Sequence, residues 1–293
     1  MYFLRNTLFS TLFKPRATNA NRSIELSFIS KASHTMSQTL PSPSQPPKAT
    51  LWMVPVPLLA PGLVDDAAAR AVLPAQTLAV IQGLRHFVAE NAKTARAILK
   101  SLVAPCPIQE LSIIELNKHQ PQQDWDRMLA PIAQGFDVGM LSESGCPGIA
   151  DPGAHLARHA HSKGIAVKAL VGPSSILLAL MAGGLGGQQF RFNGYLPSSV
   201  AERDKALANL ERSSKHLAQT ELFIETPYRN SVLLQAALRV LKPDTWLSLA
   251  LDLGLPSESV TTLKISQWRH RLGERSQALE SIKDGMAVFS LLA

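Results

Sequence analysis

Residues 138–153, Val-Gly-Met-Leu-Ser-Glu-Ser-Gly-Cys-Pro-Gly-Ile-Ala-Asp-Pro-Gly, constrain this chain more than any other stretch. The apolar run Val138–Leu141 reads as a buried strand, and from Ala154 the pattern turns helical through Leu156, Ala157 and Ala160. Between them lies a loop with three glycines and two prolines, carrying Glu143, Ser144, Cys146 and Asp151. A strand, a Gly/Pro loop and a helix is the place where an open α/β sheet binds a ligand, outside the carboxyl ends of its strands. Glycine lets backbone N–H and C=O groups approach the ligand, and proline stiffens the loop. An ordinary strand-to-helix connection is shorter, and two carboxylates in so long a loop favour a functional reading.

The rest of the chain supplies the sheet. Leu51–Val56 predicts a first strand, with a loop at Pro57–Gly62 and a short helix capped by Asp65. Leu78–Ile81 reads as a second strand, Glu90–Leu102 as a helix and Ser112–Leu116 as a third strand. Asp124 starts a helix through Trp125, Met128, Leu129 and Ile132. Past the central loop, Ile165–Leu170 is a strand, and Gly172-Pro-Ser-Ser175 leads into an apolar helix at 176–182. Gly183-Gly-Leu-Gly-Gly187 reads as a flexible joint. Beyond it come strands at 190–195, 221–225, 246–251, 260–265 and 286–291, with helices at 201–217 and 231–241. Alternating strands and helices imply a parallel sheet in the first half; the second half implies a mixed one. The expected organisation is a tail at 1–48, an α/β domain at 49–185 and a second at 186–293, with a ligand cleft between the two domains.

Charge narrows the partners. The formal charge is +7, but residues 1–48 hold Arg5, Lys14, Arg16, Arg22, Lys31 and Lys48 against Glu25 alone. That segment has a balance of +5, so only +2 remains for the folded body, and bulk charge does not argue for nucleic acid. The tail has the composition of an organellar transit peptide; alternatively, translation starts at Met36. Its Pro/Ser linker is expected to stay outside the fold, and the body to be cytoplasmic. No run of about 18 apolar residues predicts a membrane helix. Cys106 and Cys146 make no disulfide framework, and no Cys/His spacing matches a zinc site.

Several chemistries lack their motifs. There is no phosphate loop of the Gly-x-x-x-x-Gly-Lys-Ser/Thr type, no Gly-x-Gly-x-x-Gly after the first strand and no Gly-x-Ser-x-Gly elbow. His155, His159 and His161 share a helix but lack a third metal ligand, so a solvated face is expected. Glu143 and Asp151 would stabilise a cation and repel a phosphate; Asp151 before Pro-Gly also suits hydrogen bonding to loop N–H groups. Ser174 and Ser175 stand where hydroxyls cap a helix, or face a nucleoside. Glu225, at a strand end, can pair with Arg229 or act on a ligand.

Six stretches, in this order, carry a family resemblance: Leu51–Pro57, Ala89–Arg96, Ser142–Gly153, Gly172–Ile176, Phe192-Asn-Gly-Tyr-Leu-Pro197 and Phe223-Ile-Glu-Thr-Pro-Tyr-Arg229. Together they resemble the tetrapyrrole-methylase superfamily over residues 50–291, nearest the branch that methylates a cytidine 2′-hydroxyl of small-subunit ribosomal RNA. The resemblance implies a two-domain α/β homodimer with S-adenosyl-L-methionine in its cleft. It puts Pro57, Glu143, Gly145, Cys146, Ile149, Ser174, Ser175, Ile176, Glu225 and Ala250 around that cofactor. Glu143, Asp151, Glu225 and His119 are candidate bases, and Lys93, Arg96 and Lys100 candidate RNA contacts. The alternatives are methylation of a tetrapyrrole or other small molecule, and a non-catalytic protein that binds the cofactor. The chain departs from the family's Ser-Asp-Ala-Gly-Thr-Pro at Ser142-Glu-Ser-Gly-Cys-Pro147 and lacks the Gly and Asn of its first loop, where Pro55-Val-Pro-Leu-Leu-Ala60 stands. Its Glu-Asp-Thr-Arg segment reads Glu90-Asn-Ala-Lys93, and a later Lys is missing at Leu251-Asp-Leu-Gly-Leu255.

Overall fold

A computed structural model describes residues 49–58, 66–102, 107–116, 124–274, 282 and 284–293. The first sheet collects β1 (Thr50–Val54), β2 (His86–Ala89), β3 (Ser112–Glu115), β4 (Val138–Leu141) and β5 (Ala166–Ala169). Between them run α1 (Asp66–Ala71), α2 (Ala75–Gly83), α3 (Ala92–Ser101), α4 (Trp125–Ala133) and α5 (Gly153–Ser162). All five strands are parallel, in the order β3-β2-β4-β1-β5. β1 and β4 have both faces covered, which is why they read as apolar runs without alternation. Asn91 and Asp124 cap α3 and α4, accepting from the N–H groups of Thr94 and Arg127.

One expected strand is a helix. Leu78–Ile81 lies inside α2, and the second strand is His86–Ala89 instead. A four-residue apolar run fits either structure by period, and here the helix buries Thr77 and Ile81. The Asp65 cap and the loop beyond Leu58 fall outside the described residues.

This strand order fixes where a ligand can enter. The path from β1 to β2 runs leftward through α1 and α2, whose side of the sheet holds Leu73, Ile81, Leu84, Ile98 and Leu99. The path from β4 to β5 runs rightward through α5, on the opposite face with Met128, Leu129, Leu156 and Ala160. The loops after neighbouring strands β1 and β4 therefore part to opposite faces and leave a crevice at their carboxyl ends. Backbone pairing joins the two loops across it: Val56 N–H donates to the Gly145 carbonyl at 2.9 Å.

The second sheet is mixed. It collects β6 (Phe190–Tyr195), β7 (Thr220–Glu225), β8 (Trp246–Leu251), β9 (Ser259–Lys264) and β10 (Ala287–Leu292) in the order β6-β7-β10-β8-β9. Only β6 and β7 pair in parallel. Helix α6 (Ser175–Gly183) precedes the glycine joint yet packs on this second sheet, where Ile176, Ala179 and Leu180 meet Leu222, Ala250 and Val288. Helices α7 (Val200–Leu217), α8 (Asn230–Val240) and α9 (Ile265–Glu274) complete the set; Leu207, Leu233, Leu234, Ile265 and Trp268 close a core with stacked Phe223 and Phe289. Among the described residues no helix is long and apolar enough to cross a membrane.

The junction before α6 tolerates no side chain. A Cβ at Gly172 would stand 2.3 Å from Pro55 Cγ and 2.4 Å from its Cβ, and a proline ring cannot swing away. We predict that Gly172→Ala lowers stability by about 1–3 kcal/mol through overpacking. Chemical denaturation checks this; an unchanged midpoint would show that Pro55 has room to move.

Candidate ligand cavity

The β1/β4 crevice opens into a cavity of about 480 Å³, a size suited to a small organic ligand. Its floor is the loop after β4, from Ser142 to Asp151. The second sheet lends its nearest ends: Phe192 and Tyr195 of β6, Ile224 and Glu225 of β7, and Met286–Val288 at the start of β10. Ser174, Ser175 and Ile176 close one side at the start of α6.

The loop holds its shape through its own polar groups. Asp151 Oδ1 accepts from the N–H groups of Gly148 at 2.6 Å and Gly153 at 2.7 Å. Gly145 and Gly148 sit at φ 71° and 84°, where a side chain is strained, and Ala150 follows at 62°. Ser142 Oγ donates to the carbonyls of Ser144 and Gly145, and Ser144 Oγ donates to that of Leu58. Asp151 does what its place before Pro-Gly implied. It does more as well, since buried Oδ2 has no hydrogen-bond partner among the described residues and Asp151 lines the cavity.

Burial sets the electrostatics. Desolvation pushes the Asp151 carboxyl above the usual range, against the opposing pull of the Gly148 and Gly153 N–H groups. The Cys146 thiol is also raised, chiefly by burial and then by the charge of Asp151. It is held close to the Pro173 carbonyl at 3.3 Å, so it serves as a small, protonated lining group and not as a nucleophile. Glu225 is almost fully buried. Its Oε1 accepts from Thr226 N at 2.8 Å, while Arg229 Nη2 stands 2.9 Å from Oε2 as an ion pair not aligned for a hydrogen bond.

The structure gathers most of the sequence's candidates. Glu143, Gly145, Cys146, Ile149, Asp151, Ser174, Ser175, Ile176 and Glu225 all line the cavity. Two expected neighbours do not. Pro57 stops one residue short of the lining Leu58, and Ala250 is buried in the core one strand further in, paired with Val288. Ser174 is the residue before α6, but its side chain makes no capping bond. Lys93, Arg96 and Lys100 lie exposed on α3 and outside the lining, and His119 falls outside the described residues. On α5, His155 and His161 are exposed and His159 is half-buried; His155 stacks on Trp125 and His159 pairs with Asp126 at 2.9 Å. Among the described residues no three potential metal ligands cluster.

Some lining residues carried no usable signal. Met286–Val288 come from a distant segment that only the order of strands brings here, while Glu90 and Leu253 stood in stretches of the resemblance without a role. Phe192 and Tyr195 stood in a quoted motif without a role.

No known family profile matches the chain. Among curated relatives it is similar to "Ribosomal RNA small subunit methyltransferase I" of Neisseria meningitidis serogroup A, 31% identical over 204 residues that make up 70% of this chain. That match spans 64% of the relative, under two thirds of its length. The protein of the same name from Escherichia coli O157:H7 is 29% identical over 72% of this chain and 67% of its own. Among solved structures, the cobalamin biosynthetic enzyme cobalt precorrin-4 methyltransferase CbiF aligns with a TM-score of 0.51 at 13% identity, over 83% of this chain and 94% of its own. The methyltransferase CobJ aligns with the same score and coverage at 16% identity. The α/β fold is thus shared with these two methyltransferases, while the sequence similarity runs to the curated ribosomal RNA methyltransferases.

The raised carboxyl yields a pH prediction. The folded state holds the Asp151 proton more tightly than the unfolded chain, so Asp151 costs stability once pH rises past the unfolded value and that cost is absent below it. Asp151→Asn keeps an acceptor for Gly148 and Gly153 but carries no charge. The variant's thermal midpoint relative to the parent should therefore be higher at pH 7 than at pH 4. Equal offsets at both pH values would rule out the buried charge as the cause.

Proposed function

We propose that this protein is an S-adenosyl-L-methionine-dependent methyltransferase acting on a ribose 2′-hydroxyl of small-subunit ribosomal RNA. The observation that carries the reading is the cavity itself, a crevice at the switch point of a parallel sheet lined by four carboxylates: Glu90, Glu143, Asp151 and Glu225. Phosphate ligands would be repelled there, whereas a sulfonium and an ammonium would be stabilised. The chemistry of the lining fits this cofactor in three respects. Asp151 Oδ2 is a buried acceptor short of a donor, Ser174 and Ser175 bring hydroxyls, and Ile176, Ile224 and Val288 offer an apolar wall to a planar base.

When bound, the cofactor supplies an already activated methyl group, so the protein's task is alignment more than activation. Gly145, Cys146 and Ile149, on the braced loop, would hold the methionyl end, with Glu143 and Asp151 facing its positive charge. Ser174, Ser175 and Ile176 would hold the nucleoside. Glu225 keeps the turn after β7 in place through Thr226 and Arg229 and closes the far side. Among these acids Glu143 is the exposed one, suited to take the hydroxyl proton as the acceptor oxygen attacks. Lys93, Arg96 and Lys100 are the reading's candidates for RNA phosphates, and we take the enzyme to work as a cytoplasmic homodimer.

The names of the sequence relatives support the ribosomal acceptor. The fold's relation to cobalt precorrin-4 methyltransferase supports the second reading, a tetrapyrrole or other small acceptor. Calorimetry should find one molecule of S-adenosyl-L-methionine bound per chain, with weaker binding for Glu143→Gln; no binding by the parent would end both methyltransferase readings. Mass spectrometry of ribosomal RNA from cells lacking this gene should show loss of 2′-O-methylcytidine, and an unchanged level would favour the small acceptor. For the α3 contacts, replacing Lys93, Arg96 and Lys100 together should flatten the salt dependence of RNA binding by about 2 in log–log slope. An unaltered slope would exclude α3 from the interface.

A further inference from the structure

Strand β6 contains an irregularity that its burial does not explain. Side chains three apart on a regular strand face opposite sides of the sheet. Phe192 and Tyr195 nevertheless both line the cavity. The cause lies between them: the register against β7 shifts there, and Gly194 adopts φ 67°. A Cβ on Gly194 would meet nothing within 4 Å, so the glycine answers a conformational need and not a crowded site. Such a bulge re-aims the side chain that follows it. Here it turns Tyr195 toward the cavity mouth while leaving the residue 61% exposed.

A second exposed ring lies on a neighbouring turn, outside the cavity lining. Tyr228, 75% exposed, lies in the turn Pro227–Arg229 after β7. Arg229 fastens that turn to the segment following Tyr195, donating through Nη2 to the carbonyls of Leu196 at 3.4 Å and Pro197 at 3.3 Å. The backbones that carry the two phenols are thus tied together, although neither ring is buried. Met286, also exposed, adds an apolar edge to the mouth.

We infer that Tyr195, at the cavity mouth, and Tyr228, on the turn that Arg229 ties to the segment after it, offer aromatic faces on which an unpaired nucleobase of the acceptor RNA stacks. The identity of the acceptor rests on the function proposed above; the aromatic faces rest on the bulge and on the Arg229 tie. Stacking on aromatic rings is a common way to hold a splayed single-stranded base. The charge of the site selects among planar ligands. Glu90 and Glu143 line the same cavity, so a ring system bearing carboxylates is disfavoured there. A neutral base can lie on the phenols with its phosphates turned outward.

The test uses the full chain and a fluorescently labelled single-stranded oligoribonucleotide, read by anisotropy with no methyl transfer required. Tyr195→Ala and Tyr228→Ala should each weaken binding by about 5- to 150-fold, the range for loss of one base–aromatic stack. Tyr195→Phe should stay within about twofold, since the ring face remains. Gly194→Ala, which disturbs the bulge and leaves the tyrosine in place, should weaken binding as Tyr195→Ala does. Parental affinity in both alanine variants would overturn the proposal, and so would equal affinity in Tyr195→Leu, which keeps apolar bulk without a ring. Tighter binding of duplex RNA or of a porphyrin than of the single strand would overturn it too. Cofactor calorimetry on the same preparations separates the two ideas, because the cofactor reading can fail while the stacking result stands.

Discussion

The two hydrogen bonds to Asp151 Oδ1 are the constraint on which the site depends. They draw Gly148 and Gly153 onto one carboxylate and so bend the chain between the end of β4 and the start of α5. They act with the Ser142 and Ser144 hydroxyls and the Val56–Gly145 pairing to fix the positive-φ turn at Gly145, Gly148 and Ala150, of which Ala150 is the one in a conformation its residue type disfavours. The price is a carboxyl held in a poorly solvated place, with its second oxygen short of a partner. A loop built only for stability would have little use for that arrangement. A loop built to receive a cation would use it, because the ligand supplies what the fold withholds.

The second lobe completes what the first begins. The crevice between the β1 and β4 loops follows from the strand order, but alone it would be an open groove. Helix α6 crosses to the second sheet and brings that sheet's strand ends over the groove. Glu225, buried and tied to Thr226 and Arg229, then acts as a support from the far side. Cys146 keeps a small polar atom against the Pro173 carbonyl and so forms part of the wall.

Regular elements with a strong period were legible in the sequence. Val138–Leu141 and Trp246–Leu251 appear with the bounds their patterns gave, because both are apolar runs cut off by turn residues. Leu78–Ile81 was misread because four apolar residues do not distinguish a buried strand from one turn of helix. The loop's acids were legible as well, since their spacing around Gly and Pro is local chemistry. Met286–Val288 were not, nor was the absence of Pro57 and Ala250 from the lining. Those depend on which strand lies beside which, and β10 reaches the cavity only by inserting between β7 and β8.

By itself, then, the amino-acid sequence determined the α/β alternation, the loop from Ser142 to Gly153 and its acidic character, because each arises from neighbours within a few residues. The tertiary structure decided the rest. It set which oxygen of Asp151 is occupied by the loop and which is left without a partner, and it turned Tyr195 to the cavity mouth through a bulge at Gly194. Those outcomes depend on burial and on pairing between distant strands. Neither quantity exists until the chain has closed on itself.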